Sequence, residues 1–191
     1  MKKIFLSLLV IVSMIVVTGC NSKEEELENK KENNNVVKNS VVLYFSATGT
    51  TKAIAERIAS KSGSDIIEII PKVEYTSNDL NYNSDCRANK EQNDSATRPE
   101  IKNTIDISKY EVIYLGYPIW WGTNPKIILT LLDTYDFTNK IIVPFCTSGS
   151  TGIEKSVKDL QSYNSKLNIR DGKRFTLKDN DEEIIKFIDS L

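Results

Sequence analysis

Histidine is absent from all 191 residues. The side chain used most often as a metal ligand and as a general base near neutral pH is therefore missing. Cysteine is scarce. Cys20, Cys86 and Cys146 are the three, and no two stand at the spacing of a zinc site. Neither sign of charge dominates: 25 lysines and arginines face 26 acids, a net charge of −1. Nothing in that balance draws a polyanion, so nucleic acid is not an expected partner. Three phosphate chemistries are missing as well. No glycine-rich loop ends in Gly-Lys-Ser/Thr, which an ATP-type loop requires. Cys86 and Cys146 are followed six residues on by Gln92 and Gly152, where a low-molecular-weight phosphatase needs arginine. The first apolar strand ends at Ser46, where a phospho-acceptor receiver domain needs an acid.

What is present begins with a targeting signal. Lys2 and Lys3 precede an apolar run from Ile4 to Val17. That run is shorter than the ~20 residues of a membrane-spanning helix and ends in small residues. Val17-Thr18-Gly19-Cys20 resembles a bacterial lipobox. The resemblance implies a signal peptide over residues 1–19, cleavage, and lipid on Cys20. The expected location is the cell membrane, lipid-anchored on its extracytoplasmic face. Residues 20–39 then read as the lipidated cysteine and a disordered linker. Lys, Glu and Asn dominate it, and it holds too little apolar surface to offset the entropy of ordering. Residues 40–191 are a usual length for one domain with its own core.

Within that domain the chain is organised around Val41–Ala59. Val41-Val42-Leu43-Tyr44-Phe45 is short and apolar on both faces, as a buried parallel strand should be. Ile54 and Ile58, with Ala55 and Ala59 beside them, mark one face of a helix. Between lie Ser46, Ala47, Thr48, Gly49, Thr50 and Thr51. A hydroxyl-rich turn that opens a helix makes an anion site. The first helical amides have no internal partner, and the helix dipole adds positive potential. Turn chemistry alone also favours Gly, Ser and Thr there, so the loop needs support from elsewhere.

Two later loops supply it. A third strand over Glu111–Gly116 runs into Tyr117, Pro118, Ile119, Trp120, Trp121 and Gly122. Two adjacent tryptophans at a strand end cannot both enter one core, so at least one should be partly exposed. Asn124 and Pro125 are expected as N-cap and first residue of the next helix. A fourth strand over Lys140–Cys146 leads to Thr147, Ser148, Gly149 and Ser150, and Thr151 with Glu154 reads as a capping box. A second strand at Asp65–Ile70 stops at Pro71, a helix is expected over Asp79–Gln92, and a last strand between Leu167 and Leu177 should break at Asp171-Gly172. Asp179 and Glu182 form a second capping box before the final helix. Cys86 and Cys146 could form a disulfide outside the cell, but two free thiols is the preferred reading, because Cys146 ends an apolar strand and Cys86 sits in a polar stretch.

Ser46-x-Thr48-Gly49-x-Thr51 behind an N-terminal strand resembles the FMN phosphate loop of flavodoxins, and the two later loops fall where that family places its own. The stretch Tyr75…Asp79-Leu80…Arg87…Glu91…Arg98-Pro99 is similar to one in a flavodoxin-like family of small secreted or cytoplasmic proteins. The resemblance covers Ser40 to the C-terminus. It implies an α/β three-layer sandwich around a five-stranded parallel sheet of order 2-1-3-4-5, with FMN as cofactor. It places the phosphate on Ser46–Thr51 and an aromatic of Pro118–Gly122 on the flavin, Trp121 being favoured by its Trp-Gly pair. Thr147, Ser148, Gly149 and Ser150 would meet the pyrimidine edge. No side chain need be catalytic, no metal is implied, and the redox partner stays unidentified. The last loop lacks the second aromatic common in the family, so one flavin face would be open unless a tyrosine of the 75–98 segment covers it. The expected function is electron transfer or quinone- or nitro-type reduction. The alternative is a flavodoxin-fold lipoprotein without flavin that binds another ligand or a partner.

Overall fold

The computed structural model describes residues 39–191. The signal peptide, Cys20 and the linker up to position 38 lie outside the described residues. Six strands and five helices follow in order: β1 (Ser40–Tyr44), α1 (Thr50–Ser62), β2 (Asp65–Glu68), α2 (Arg87–Asn93), β3 (Val112–Pro118), α3 (Lys126–Thr134), β4 (Ile141–Thr147), α4 (Glu154–Tyr163), β5 (Asn168–Ile169), β6 (Lys173–Phe175) and α5 (Asp181–Ile188).

All strand pairs are parallel, in the order β2-β1-β3-β4-β5, with β6 also on β4. This is the expected doubly wound α/β sandwich. Its fifth strand is split in two, as the Asp171-Gly172 turn suggests. Ile142 pairs with Ile169 and Phe145 with Lys173, so the outer strand spends one extra residue there. The break lies opposite Pro144, which has no N–H to give the ladder. Gly172 fills the gap because a Cβ would stand 2.8 Å from the Pro144 carbonyl oxygen.

Each sheet face has its own core. Val42, Tyr44, Tyr114, Phe145 and Phe175 meet Ile54 and Ile58 of α1 and Ile184 and Phe187 of α5. Val41, Leu43, Leu115 and Cys146 meet Ile127, Ile128 and Leu131 of α3 and Val157 and Leu160 of α4. Burying both faces is what makes the strands read as near-continuous apolar runs. Cys86 and Cys146 are buried free thiols, and burial pushes the Cys146 thiol up to about 12.

Several helix starts differ from expectation. Of the 79–92 stretch only the part from Arg87 onward is helical, the helix running to Asn93, with turns before it. Helix α3 begins at Lys126. Asn124 does not cap it: its Nδ2 donates to the Pro125 carbonyl (3.3 Å), and the Lys126 N–H is received by Gln92 Oε1 (3.0 Å). Neither expected capping box forms. Ile153 stands in the cap position of α4. At α5 the cap is one residue later, Asn180 Oδ1 accepting from the Glu183 N–H (3.0 Å). Asp179 instead accepts the Thr176 N–H (2.5 Å) and hydroxyl (3.0 Å), closing the turn behind β6. The Thr176 amide bond leads the interactions that hold its carboxyl below the usual range.

Candidate functional site

Right-handed crossovers bring the loops after β1, β3 and β4 to one edge of the sheet, where β1 and β3 flank the point at which the strand order reverses. A cleft of 670 Å³ opens there. Ala47, Thr48, Thr50, Thr51, Pro118, Ile119, Trp120, Thr147, Ser148 and Gly149 line it, so ten of the expected site residues converge.

The β1 loop is built to present donors. Ser46 Oγ accepts the Gly49 N–H (3.1 Å), and Gly49 takes φ +86°, a left-handed conformation open to glycine at little cost. The Ala53 N–H bonds the Gly49 carbonyl (3.0 Å). The Thr50, Thr51 and Lys52 amides stand ahead of it, beyond the reach of the helical ladder. Thr48 and Thr50 hydroxyls stand 3.5 Å apart and Thr48 is exposed. Thr51 is spent differently: its buried hydroxyl meets that of Thr147 at 2.7 Å, joining the β1 and β4 loops.

The aromatic loop divides its two tryptophans. Trp120 is 3 % exposed and packs edge-on against Phe45 (5.6 Å) and Tyr75 (5.1 Å). Trp121 is 41 % exposed and meets Tyr82 edge-on at 4.7 Å. Trp120 and Thr123 exchange backbone bonds of 2.9 and 3.0 Å, closing a two-residue turn with φ +49° at Trp121 and +78° at Gly122. Positive φ at both central residues is the sign of a type I′ turn, which favours Asn-Gly. A bulky side chain there costs of order 1–3 kcal/mol and marks strain kept at a site. Trp121→Asn should therefore raise the midpoint of thermal unfolding by about 2–4 °C while weakening whatever ligand the loop contacts. An unchanged midpoint in a thermal scan would show the turn to be unstrained.

Ser46, Gly49, Trp121, Gly122 and Ser150 do not line the cleft. Ser46 and Gly49 shape its first loop, and Trp121 with Gly122 forms the turn at its margin. Two further lining groups come from outside the three expected loops, one of them holding a tyrosine of the 75–98 segment. Leu80 and Tyr82 come from the irregular segment before α2, and Phe175–Lys178 from the turn after β6. Because β6 runs parallel to β4, its C-terminal end had to reach this same edge. Arg57 of α1 holds that turn by donating to the Asp179 carbonyl (2.8 Å). Among the described residues lining the cleft, Lys178 is the one charged side chain. Arg174 donates to the Ser148 carbonyl (3.0 Å) and so fixes the β4 loop. Gly149 has open space where a Cβ would stand.

The profile of the family described as Flavodoxin matches residues 39–191. The chain belongs to the flavodoxin family. Among solved structures, this flavodoxin is 37 % identical to a protein of Bacteroides eggerthii DSM 20697 assigned as a flavoprotein, with TM-score 0.77, 80 % of this chain and 96 % of the other being covered. A similarly assigned protein of Bacteroides uniformis ATCC 8492 is 35 % identical, with TM-score 0.76 and coverage of 79 % and 97 %. A flavoprotein of Lactobacillus acidophilus NCFM in complex with FMN is 29 % identical, with TM-score 0.63 and coverage of 78 % and 97 %. No curated protein matches.

Proposed function

We propose that this flavodoxin binds FMN in the cleft and works as a redox protein held by lipid on Cys20 at the outer side of a bacterial membrane. The observation that carries the reading is the uncharged donor loop at the switch point, opening on one continuous cleft with the β3 and β4 loops. The relative in complex with FMN supports the choice of ligand. Donors fit a phosphate: helix-start amides with Thr48 and Thr50 hydroxyls at one end, and Lys178 nearby as the single counter-charge. Apolar walls fit a flat ring system, with Ile119 and Trp120 on one loop and Leu80 and Tyr82 on another. Ser148 and Gly149 offer backbone at an edge with space to approach.

FMN supplies one- or two-electron transfer when bound. The chain's own part is to hold, orient and set the local field. No carboxylate lines the described cleft, so its wall sets no like charge of the chain against negative charge gained inside it. That electrostatic setting favours two-electron delivery to a flat quinone- or nitro-type acceptor over one-electron carriage. Tyr82, 54 % exposed, is the tyrosine from the 75–98 segment that covers part of the otherwise open side.

The test is titration of the purified protein with FMN, followed by flavin absorbance and tryptophan emission. Saturable binding with quenching supports the reading, and an unchanged emission with free-flavin absorbance refutes it. The tether has its own test. Cys20→Ala should leave the protein unlipidated, so that no mature-size form is held fully in the membrane fraction. Full retention in the membrane at mature size would show that lipid on Cys20 is not the anchor.

A further inference from the structure

The segment before and within α2 has no part in the reading above beyond two lining residues, yet it is densely bonded to the aromatic loop. Gln92 lies on α2. Its Nε2 donates to the Trp120 carbonyl (3.3 Å) and to the Asn124 carbonyl (3.3 Å), and its Oε1 accepts the Lys126 N–H (3.0 Å). Only this orientation of the amide satisfies all three, since the nitrogen alone can donate and the oxygen alone can accept. One side chain therefore spans the loop from the strained turn to the first residue of α3. It also supplies the cap that Asn124 does not.

The holder is itself held. Glu91, next in sequence, accepts from Arg87 Nε (2.7 Å) and from the Tyr75 hydroxyl (2.5 Å). The Arg87 guanidinium lies 4.2 Å from the centre of the Tyr75 ring, and its Nη1 donates to the Val73 carbonyl (2.9 Å). Burial, then the bond to Glu91, pushes the Tyr75 phenol up, so it stays a donor across the physiological range. The same Tyr75 ring packs on Trp120. Trp120 is thus fixed at its ring by Tyr75 and at its carbonyl by Gln92, and both holders are anchored through adjacent residues of α2.

We infer that Gln92 is the positioning residue of the aromatic loop: it sets where Trp120 and the Trp121-Gly122 turn stand against the cleft, and so how tightly the ring system of the ligand is held. The inference rests on the cleft being the flavin site. It acts on the ring end of the ligand, so FMN and riboflavin should suffer alike.

The experiment compares wild type, Gln92→Ala and Gln92→Glu. Gln92→Ala should weaken FMN and riboflavin by the same factor, ten- to fiftyfold. Gln92→Glu should behave like Gln92→Ala at high pH, where a carboxylate faces two carbonyl oxygens and still accepts from Lys126. As the pH falls through the titration of that carboxyl, it gains one O–H that can donate to one of the two carbonyls, and affinity should recover in part. Charged neighbours at position 92 are Glu91 and Arg87 on α2, Lys126 on α3, and Asp94. Bonds from Thr97 and Ala96 hold Asp94 below the usual range, so it is already charged throughout the window. The wild type should show no matching recovery. Amide exchange at Lys126 in the ligand-free proteins reads the clamp without flavin. Protection lost in Gln92→Ala, and kept in Gln92→Glu whose carboxylate still accepts from Lys126, supports it even if FMN does not bind to the wild type, an outcome that refutes the functional reading alone. Affinities within twofold of wild type in Gln92→Ala, loss confined to FMN, or a Gln92→Glu protein indifferent to pH would each overturn the inference. If Gln92→Ala does not fold, the pH dependence of Gln92→Glu decides.

Discussion

Thr48→Val and Thr50→Val should each weaken FMN by about ten- to hundredfold and leave riboflavin nearly unchanged. A hydrogen bond to a charged group contributes about 1.5–3 kcal/mol, and 1.4 kcal/mol is tenfold in affinity. Valine keeps the shape of threonine and removes only the hydroxyl. The two hydroxyls sit on the loop that opens α1, 3.5 Å apart and facing the cleft. Riboflavin lacks the phosphate and should not register their loss. Lys178→Gln should cost less, about three- to tenfold, because an exposed charge is screened, and the difference should fade as salt is raised. Thr51→Val makes the contrast. Its hydroxyl is buried against Thr147 at 2.7 Å, so its loss should loosen the join of two loops and reduce both ligands together. Calorimetric titration with each ligand separates these cases. Equal losses of FMN and riboflavin in Thr48→Val and Thr50→Val would move the phosphate away from this loop.

The parts of the site legible in the sequence were those written locally. Strand, hydroxyl turn and helix occupy Val41–Ala59 without interruption, and the three central strands β1, β3 and β4 each carry an apolar run. Even the break in the last strand was visible in Asp171-Gly172, although its cause, Pro144 on the neighbouring strand, lies 27 residues earlier in the chain. What stayed hidden depends on contacts between distant segments. Asn124-Pro125 has the form of a local cap, but Gln92, 34 residues away from Lys126, does the capping. Cys86 stands in a polar stretch and is nevertheless buried, because Ala88 and Cys86 turn one side of a seven-residue helix into the core. Trp121 keeps its Trp-Gly pair, yet the positive φ at both residues swings it to the margin and leaves Trp120 as the lining ring. Lys178 could have been found by topology: a last parallel strand beside β4 delivers its C-terminal end to the ligand edge.

The other large effect concerns the sheet that places these loops. Gly116→Ala should lower the stability of the domain by about 3 kcal/mol, at the upper end of the range for overpacking a core, and its unfolding midpoint by about 6–12 °C. Gly116 stands in β3 between Tyr44 of β1 and Phe145 of β4 in the parallel register. A Cβ would lie 2.1 Å from Phe145 Cζ and within 2.8 Å of two further ring atoms. The ring has nowhere to go. Phe145 is fully buried and meets the Phe187 ring edge-on at 6.4 Å. Gly149→Ala is the control, since nothing stands within 4 Å of its Cβ position, and it should leave stability unchanged. Phe145→Leu removes most of the ring that Gly116→Ala strikes, so the double variant should lose at least 1 kcal/mol less than the sum of the singles, as contacting residues do. A displaced Phe145 would also drag Cys146 and Thr147 behind it. Gly116→Ala should for that reason weaken FMN and riboflavin alike at temperatures where it remains folded. Strict additivity in the double variant would show that the clash is relieved elsewhere, by the backbone of β3 and not by the ring.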